Sequence, residues 1–378
     1  MSHKLFSQSI APKRVLRGEN AWEEGKRIIP SICKKPLLLG RSITTKNIRD
    51  FIYSELTQNC LNPISSELKH DCCELDLARL EILVLSNNSD GIIAAGGGKV
   101  LDAGKLLSNR LSIPCITIPT SASTCAGWTG LSNIYSTEGA FIKDVILDSC
   151  PELLIFDYSL IRQAPARTLA SGIGDALAKW YESSSTSNAS SDALVQQAVQ
   201  MARVLRDQLF TDSLEALSNP QSNAWIRVAE GCGLTAGLIG GIGGAKCRTA
   251  AAHAIHNGLT QLTASRKSLH GEIVAYGLLV QLHIEEIVAN NQLAKQARKQ
   301  LLKFLKDLKL PTNLDDLDLK DMSIDNLKSA CEFACRDDSD IHRLPYKLHT
   351  NILLQALMLT KDQKAIVNLE NNSYETIF

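Results

Sequence analysis

At 378 residues the chain is long for one core, and a prior of roughly 100–200 residues per domain points to two domains. Hydrophobic residues make up 44% and charged residues 21%, and 40 Lys and Arg balance 40 Asp and Glu, so an ordinary globular protein is expected and a basic nucleic-acid-binding surface is not. No apolar run reaches the ~18 residues of a membrane span, and MSHKLFSQSIAPKRVLRG lacks the apolar core of a signal peptide, so no membrane partner is expected.

In chain order, PLLLG (36–40) predicts a buried strand and NIRDFIYSELTQ a helix. EILVLS (81–86) and DGIIAAGGG (90–98) are short apolar runs, and KVLDAGKLLSNRL predicts a helix with Val100, Leu101, Leu106 and Leu107 on its apolar side. IPCITIPT (113–120) and ELLIFD (152–157) predict two more strands. Strands alternating with helices imply a parallel sheet covered on both faces. From APARTLASGIGDALAKWYESS onward the patterns are helical: SDALVQQAVQMARVLRDQLF, AAAHAIHNGLTQL, EIVAYGLLVQLHIEEIVANN, QLAKQARKQLLKFLKDL and KLHTNILLQALMLTKDQ. The expected architecture is an α/β N-terminal dinucleotide-binding domain with a parallel sheet over 1–157. An all-helical C-terminal domain for metal and substrate follows over 158–378, with a cleft beside a hinge near Asp157. The eleven cysteines include no CxxC pair, and Cys331 and Cys335 lack a second pair to complete a zinc site, so reduced thiols in a cytoplasmic protein are expected.

Gly96, Gly97 and Gly98 stand between a strand and a helix, where bare backbone N–H groups and the helix's positive end suit a diphosphate. The spacing matches neither GxGxxG nor GxxxxGK[ST], so a tight connection with no ligand stays open. GGGKxxDxxK adds Asp102 and Lys105; Asp102 is placed to accept from a ribose or amide, and Lys105 is expected to solvate the helix face. Past the next strand, Thr120, Ser121, Ser123 and Thr129 offer hydroxyls at a carboxyl end of the sheet, where such folds bind ligands.

Of eight histidines, His253, His256 and His270 fall close together, and Asp175 lies in GIGDALAKW. One carboxylate with two or three imidazoles suits Zn²⁺ or Fe²⁺ with a position left open for substrate.

GGGKxxDxxK, PTSAST, GIGDALAKW, HAIHNGL and HGE, in this order, resemble the glycerol dehydrogenase branch of the iron-containing alcohol dehydrogenase family, over almost the whole chain. The resemblance implies a dehydroquinate synthase-like or glycerol dehydrogenase-like fold and hydride transfer with a nicotinamide cofactor. It implies Asp175, His253 and His270 as metal ligands and His256 as a proton relay facing the cleft. Gly97, Gly98, Lys99 and Asp102 would meet the diphosphate and nicotinamide side. Thr120, Ser123, Thr129, Leu131 and Tyr135 would be the cofactor contacts of the second loop.

Two departures from the family pattern bear on specificity. Glycerol dehydrogenases carry an Asp after PTxAST, and here the position is Cys125, with Trp128 nearby as an apolar pocket wall. A thiol does not accept from a polyol as a carboxylate does. Members with a similar TCAxWT stretch resemble hydroxycarboxylate dehydrogenases, so a 2-oxo acid or 2-hydroxy acid is the favoured substrate, with Arg266 and Lys267 as candidate carboxylate holders or solvated surface charges. NAD-preferring members end the strand before the first helix with Asp; here Arg41 stands there, which favours the 2′-phosphate of NADP over NAD. The expected function is a metal-dependent NAD(P)-linked dehydrogenase of a small alcohol or carbonyl, in a homo-oligomer. Glycerol dehydrogenase, a dehydroquinate synthase-like lyase and a non-catalytic binding protein on the same fold are the competing readings.

Overall fold

A computed structural model describes residues 7–187 and 190–361. The ends of both expected domains, 1–6 and 362–378, lie outside these residues, including the last two positions of the KLHTNILLQALMLTKDQ helix. The N-terminal part runs β1 (Arg14–Gly18), α1 (Ala21–Ile28), β2 (Pro36–Gly40), α2 (Lys46–Gln58), β3 (Ile64–Glu67), α3 (Glu74–Ser86), β4 (Gly91–Gly96), α4 (Gly98–Leu111), β5 (Cys115–Pro119), β6 (Leu131–Tyr135), β7 (Phe141–Ile146) and β8 (Leu153–Asp157). Six strands form one parallel sheet in the order β1-β8-β5-β4-β2-β3, and β6 and β7 form a separate antiparallel hairpin.

Alternation within the central strands places one layer of side chains on each face. Leu37 and Leu39 of β2 join Ile92 and Ala94 of β4 under α3 and α4, with Leu77, Leu80, Val84 and Leu107. Leu38, Ile93 and Ala95 point to the other face, where Ile48, Ile52 and Leu56 of α2 cover them. Leu37, Leu38 and Leu39 are fully buried, and each such side chain contributes ~1.5–3 kcal/mol of transfer free energy. Because α2 and α4 cover opposite faces, a crevice opens at the carboxyl ends of β2 and β4.

The apolar run 81–86 is the last part of α3 rather than a strand. Its burial follows the helical period, with Leu77, Leu80 and Val84 inside and Ile82 and Leu85 exposed. Strands β1 and β3 have polar, half-exposed edge patterns, which the apolar-run criterion passes over.

All described elements after β8 are helical: α5 (Tyr158–Ile161), α6 (Ala166–Ser187), α7 (Ala193–Ser218), α8 (Asn223–Glu230), α9 (Ala236–Gly243), α10 (Ala251–Leu259), α11 (His270–Val288), α12 (Gln292–Asp307), α13 (Ile324–Ala334) and α14 (Thr350–Lys361). The run 223–247 is long and apolar enough to cross a membrane, and most of it is buried inside the fold, as in a core helix. A π-helical turn, Gly231–Thr235, joins α8 to α9. Phe156 of β8 packs against Gly233 there so closely that a Cβ would collide with its ring. The hairpin makes a second tie between the halves: Phe141 N donates to Thr260 Oγ1 at 3.0 Å, and Gln261 Nε2 donates to Phe141 O at 3.0 Å.

Candidate active site

Strand β4 ends at Gly96, and α4 begins at Gly98 with Gly97 as an extended N-cap whose orphan N–H groups receive no side-chain cap. A Cβ built on Gly97 meets no atom within 4 Å, whereas one on Gly98 would lie 2.9 Å from Thr124 Cγ2. The turn therefore presents backbone, at the positive end of a 14-residue helix, to a cavity of about 470 Å³. Arg41, Gly97, Gly98, Lys99, Asp102 and Ser123 line this cavity, as do Thr129, Leu131 and Tyr135. Thr120 is not among its lining residues: it is buried beneath the cavity, its N–H bonded to Gly96 O at 3.1 Å.

Lys105 is not on a solvated face but interior. Its Nζ donates to Thr129 O and Oγ1, both at 3.0 Å, and to Leu131 O, and pairs with Asp102 at 3.1 Å. It fastens the 129–131 segment to α4 behind the glycine turn. At the cavity edge the buried carboxylate of Asp71 pairs with both Arg41 and Lys99.

Asp175 on α6, His253 on α10 and His270 at the start of α11 offer ligand atoms that all lie within 4.8 Å of one another. Asp175 Oδ1 stands 3.3 Å from His253 Nε2 and 3.7 Å from His270 Nε2. Ligand bonds of ~2.1 Å in a tetrahedral site put donor atoms ~3.4 Å apart. Asp175 Oδ1 is also buried without a hydrogen-bond partner, a costly state unless a cation takes it. Burial opposes a charge on His253, yet the carboxylates of Glu182 and Asp175 hold its pKa up to about 9. The residues present thus fit a divalent cation in chemistry and in spacing.

The groups behind the ligands fix their orientation. Glu182, two turns after Asp175 on α6, accepts from Ala250 N at 2.7 Å, His253 N at 3.0 Å and His253 Nδ1 at 2.6 Å. That keeps a proton on Nδ1 and turns Nε2 toward Asp175, where a cation would displace the Nε2 proton. His256, expected to face the cleft as a proton relay, does not line the cavity. Its Nε2 is 3.0 Å from His270 Nδ1, and its Nδ1 is 2.9 Å from Asn257 Oδ1. Burial and the neighbouring His270 push His256 well below its ordinary pKa, so a neutral ring accepts from His270 Nδ1–H and presents His270 Nε2 to the site.

A second convergence of possible ligands, His70, Cys73 and Asp76, also occurs, but Asp76 is already committed to Lys69 N, His70 N and Arg79.

Beyond the triad the cavity continues along Cys125, Lys179, Ala236, Gly240 and Arg248. Cys125 is in place as a lining residue. Trp128 is not: its ring packs against Gly237, and its Nε1 donates to Ile10 O at 3.0 Å. Arg266 and Lys267 are exposed on a 3-10 turn away from the cavity, with Lys267 Nζ 3.6 Å from Asp318. The cations that face this end of the cavity are Lys179, Arg248 and Arg343. Lys179 was legible as one turn beyond Asp175 on the same helix; Arg248 carried no signal beyond its place five residues before His253.

Residues 12–158 match the profile of the iron-containing alcohol dehydrogenases. An oxidoreductase of Synechocystis is 46% identical over 360 residues, 95% of this chain and 93% of that protein. Hydroxycarboxylate dehydrogenase A of Escherichia coli is 33% identical over 300 residues, 78% of this chain and 81% of that one. The crystal structure of glycerol dehydrogenase from Schizosaccharomyces pombe superposes with a TM-score of 0.81 at 27% identity, covering 96% of this chain and 92% of that one.

Proposed function

This chain belongs to the iron-containing alcohol dehydrogenase family and is an oxidoreductase of its glycerol dehydrogenase-like branch, and from that premise we propose that it reduces a 2-oxo acid to the 2-hydroxy acid with NADPH and a bound Zn²⁺. The observation that carries the reading is the orphaned Oδ1 of Asp175, facing His253 and His270 in the same cavity as the glycine turn.

Asp175, His253 and His270 would hold the cation, with Glu182 and His256 keeping the two imidazoles in register. A cation held there would supply Lewis-acid polarisation of a carbonyl oxygen, and a nicotinamide would supply the hydride for the carbonyl carbon, with one proton taken up from water. The 96–98 backbone and the α4 terminus take the diphosphate, and Lys99 and Asp102 flank it. Arg41 stands at the carboxyl end of β2 to pair with a 2′-phosphate. Cys125, in place of a polyol-binding carboxylate, removes one acid that would repel an anion.

The His270→Ala variant is expected to lose bound metal in elemental assay and to lose turnover while NADPH still binds by fluorescence. Undiminished turnover removes the site assignment. The Arg41→Asp variant is expected to shift the NADPH/NADH preference toward NADH on the order of tenfold or more, the loss of a charge-assisted contact; an unmoved ratio removes the NADPH assignment. Relatives named glycerol dehydrogenase support a glycerol reading of the same site. A screen of 2-oxo acids against glycerol, with each nicotinamide and with Zn²⁺ or Fe²⁺, separates the two.

A further inference from the structure

Three features of the substrate end stand apart from the metal and cofactor sites. The first is Arg248, whose side chain lines the cavity and whose guanidinium makes no hydrogen bond or ion pair with any described residue. Asp144 and Asp340 act on it only through space; Asp340 is committed to Arg343 at 2.6 Å and to Thr249. The arginine is nevertheless firmly placed. Its stem lies on Gly240, where a Cβ would come to 2.9 Å of Arg248 Cγ. Arg343 Nη1 clamps the backbone around it through Ala245 O at 3.2 Å and Thr249 O at 2.9 Å.

The second is Lys179, 5% exposed, which donates to Arg248 O at 3.2 Å and has no carboxylate within ion-pair distance among the described residues. An ammonium offers three donors, so the cavity side of Lys179 has capacity left. The third is Cys125. Lys179 and Asp175 both act on this thiol through space, and Arg248 senses it as well. Burial pushes the thiol up, so it stays neutral and cancels neither cation. Two cations that line one cavity without a direct ion pair can take an anionic guest.

We infer that Arg248 and Lys179 form a seat for the substrate's carboxylate, one helical turn from the Asp175–His253–His270 triad. The inference rests on the proposed reductase reading and names the residues that select an α-oxo acid over a neutral ketone or polyol. Lys179 is tied to the metal site through α6, four residues after Asp175, and Arg248 is tied to it through the segment that enters α10 and His253. Carbonyl and carboxylate are thereby registered on the same two elements.

The test uses the Zn²⁺- and NADPH-loaded enzyme with a matched pair of ketones, pyruvate and the neutral hydroxyacetone, and with oxamate as a non-reducible anionic probe. In Arg248→Gln and Lys179→Gln, KM for pyruvate is expected to rise on the order of 10- to 100-fold, the loss of one hydrogen bond to a charged group. KM for hydroxyacetone is expected to change much less than KM for pyruvate, and oxamate inhibition to weaken by the same factor as pyruvate. Equal effects on both ketones, or an unmoved KM for pyruvate, overturn the seat. Should either variant fail to fold, Cys125→Asp places a carboxylate before the two cations. It is expected to lower pyruvate kcat/KM relative to hydroxyacetone, and an unchanged ratio overturns the seat. A wild-type enzyme that reduces hydroxyacetone but neither reduces pyruvate nor binds oxamate overturns the seat and leaves the reductase chemistry standing. One that reduces no carbonyl with either nicotinamide overturns both.

Discussion

Glu182 closes the amino end of α10 and holds His253 Nδ1 with the same carboxylate, so a single side chain joins helix capping to ligand orientation. Replacing it by glutamine keeps the volume but removes the charge and one acceptor. Glu182→Gln is therefore expected to weaken metal binding ~10- to 100-fold, the usual cost of losing a partner behind a ligand. Competition against a chromophoric chelator measures it, and an unchanged far-ultraviolet dichroism spectrum separates it from unfolding. The convergence of Asp175, His253 and His270 was legible in the sequence because Asp and His are chemically distinctive types that stand here in motifs the family resemblance singles out. Glu182 was hidden because an acid seven residues after Asp175 reads as an ordinary helical residue; its signal is that shared α6 face. Arg266 and Lys267 were drawn in by nearness in sequence to His270. The chain turns them outward, and Arg248, eighteen residues before Arg266, reaches the cavity instead.

At the level of elements, the site depends on how closely α6 and α11 approach. A Cβ on Gly174 would collide with Gly271 O, and one on Gly271 would collide with Ser171 O; these backbones lie one residue from Asp175 and His270. Gly174→Ala is expected to force the helices apart, costing ~1–3 kcal/mol as overpacking does, with a lower urea midpoint and weaker metal retention together. A stability loss with metal affinity intact would detach the crossing from the ligand geometry. Farther out, Arg227 on α8 clamps Asp212 on α7 through two contacts, at 2.7 and 2.9 Å. The guanidinium holds Asp212 below the ordinary carboxylate value. The unfolded chain then takes up the proton first, so the pair stabilises the fold at neutral pH and its contribution fades as pH falls through the depressed value. Asp212→Asn should flatten the decline of the urea midpoint between neutral pH and about pH 3, modestly, since Arg227 is half in water. The central strands and long helices were readable because apolar runs and helical periods are strong local signals. Strands β1 and β3 and the β6–β7 hairpin were not, because half-exposed strands with polar residues carry neither pattern.

In the whole molecule, sheet and helices share one buried interior at their junction: Phe156 of β8 enters the π-turn of the helical half, and the hairpin reaches α10. The cavity lies between these ties, with the glycine turn on the sheet side and the triad on the helical side. The general architecture follows from the change of pattern near Asp157, whereas the depth of the cleft depends on contacts between residues ~100 positions apart, which no local pattern encodes. The cysteines report on this shared interior. All eleven are free, and of them only Cys60 is exposed and Cys335 half-buried. Burial pushes the thiols of Cys33, Cys115 and Cys331 up to about 12 and that of Cys335 up to about 11, so all four carry little thiolate at neutral pH, and the first three also lie out of a reagent's reach. Titration of the native protein with an aromatic disulfide reagent is expected to show one fast thiol, absent in Cys60→Ser, with a slow second at Cys335, and all eleven only in denaturant. Cys232 sits on the inner side of the junction and away from the cavity, so its rapid labelling in the native state would mean that the two halves part in solution, and with them the register of triad and glycine turn.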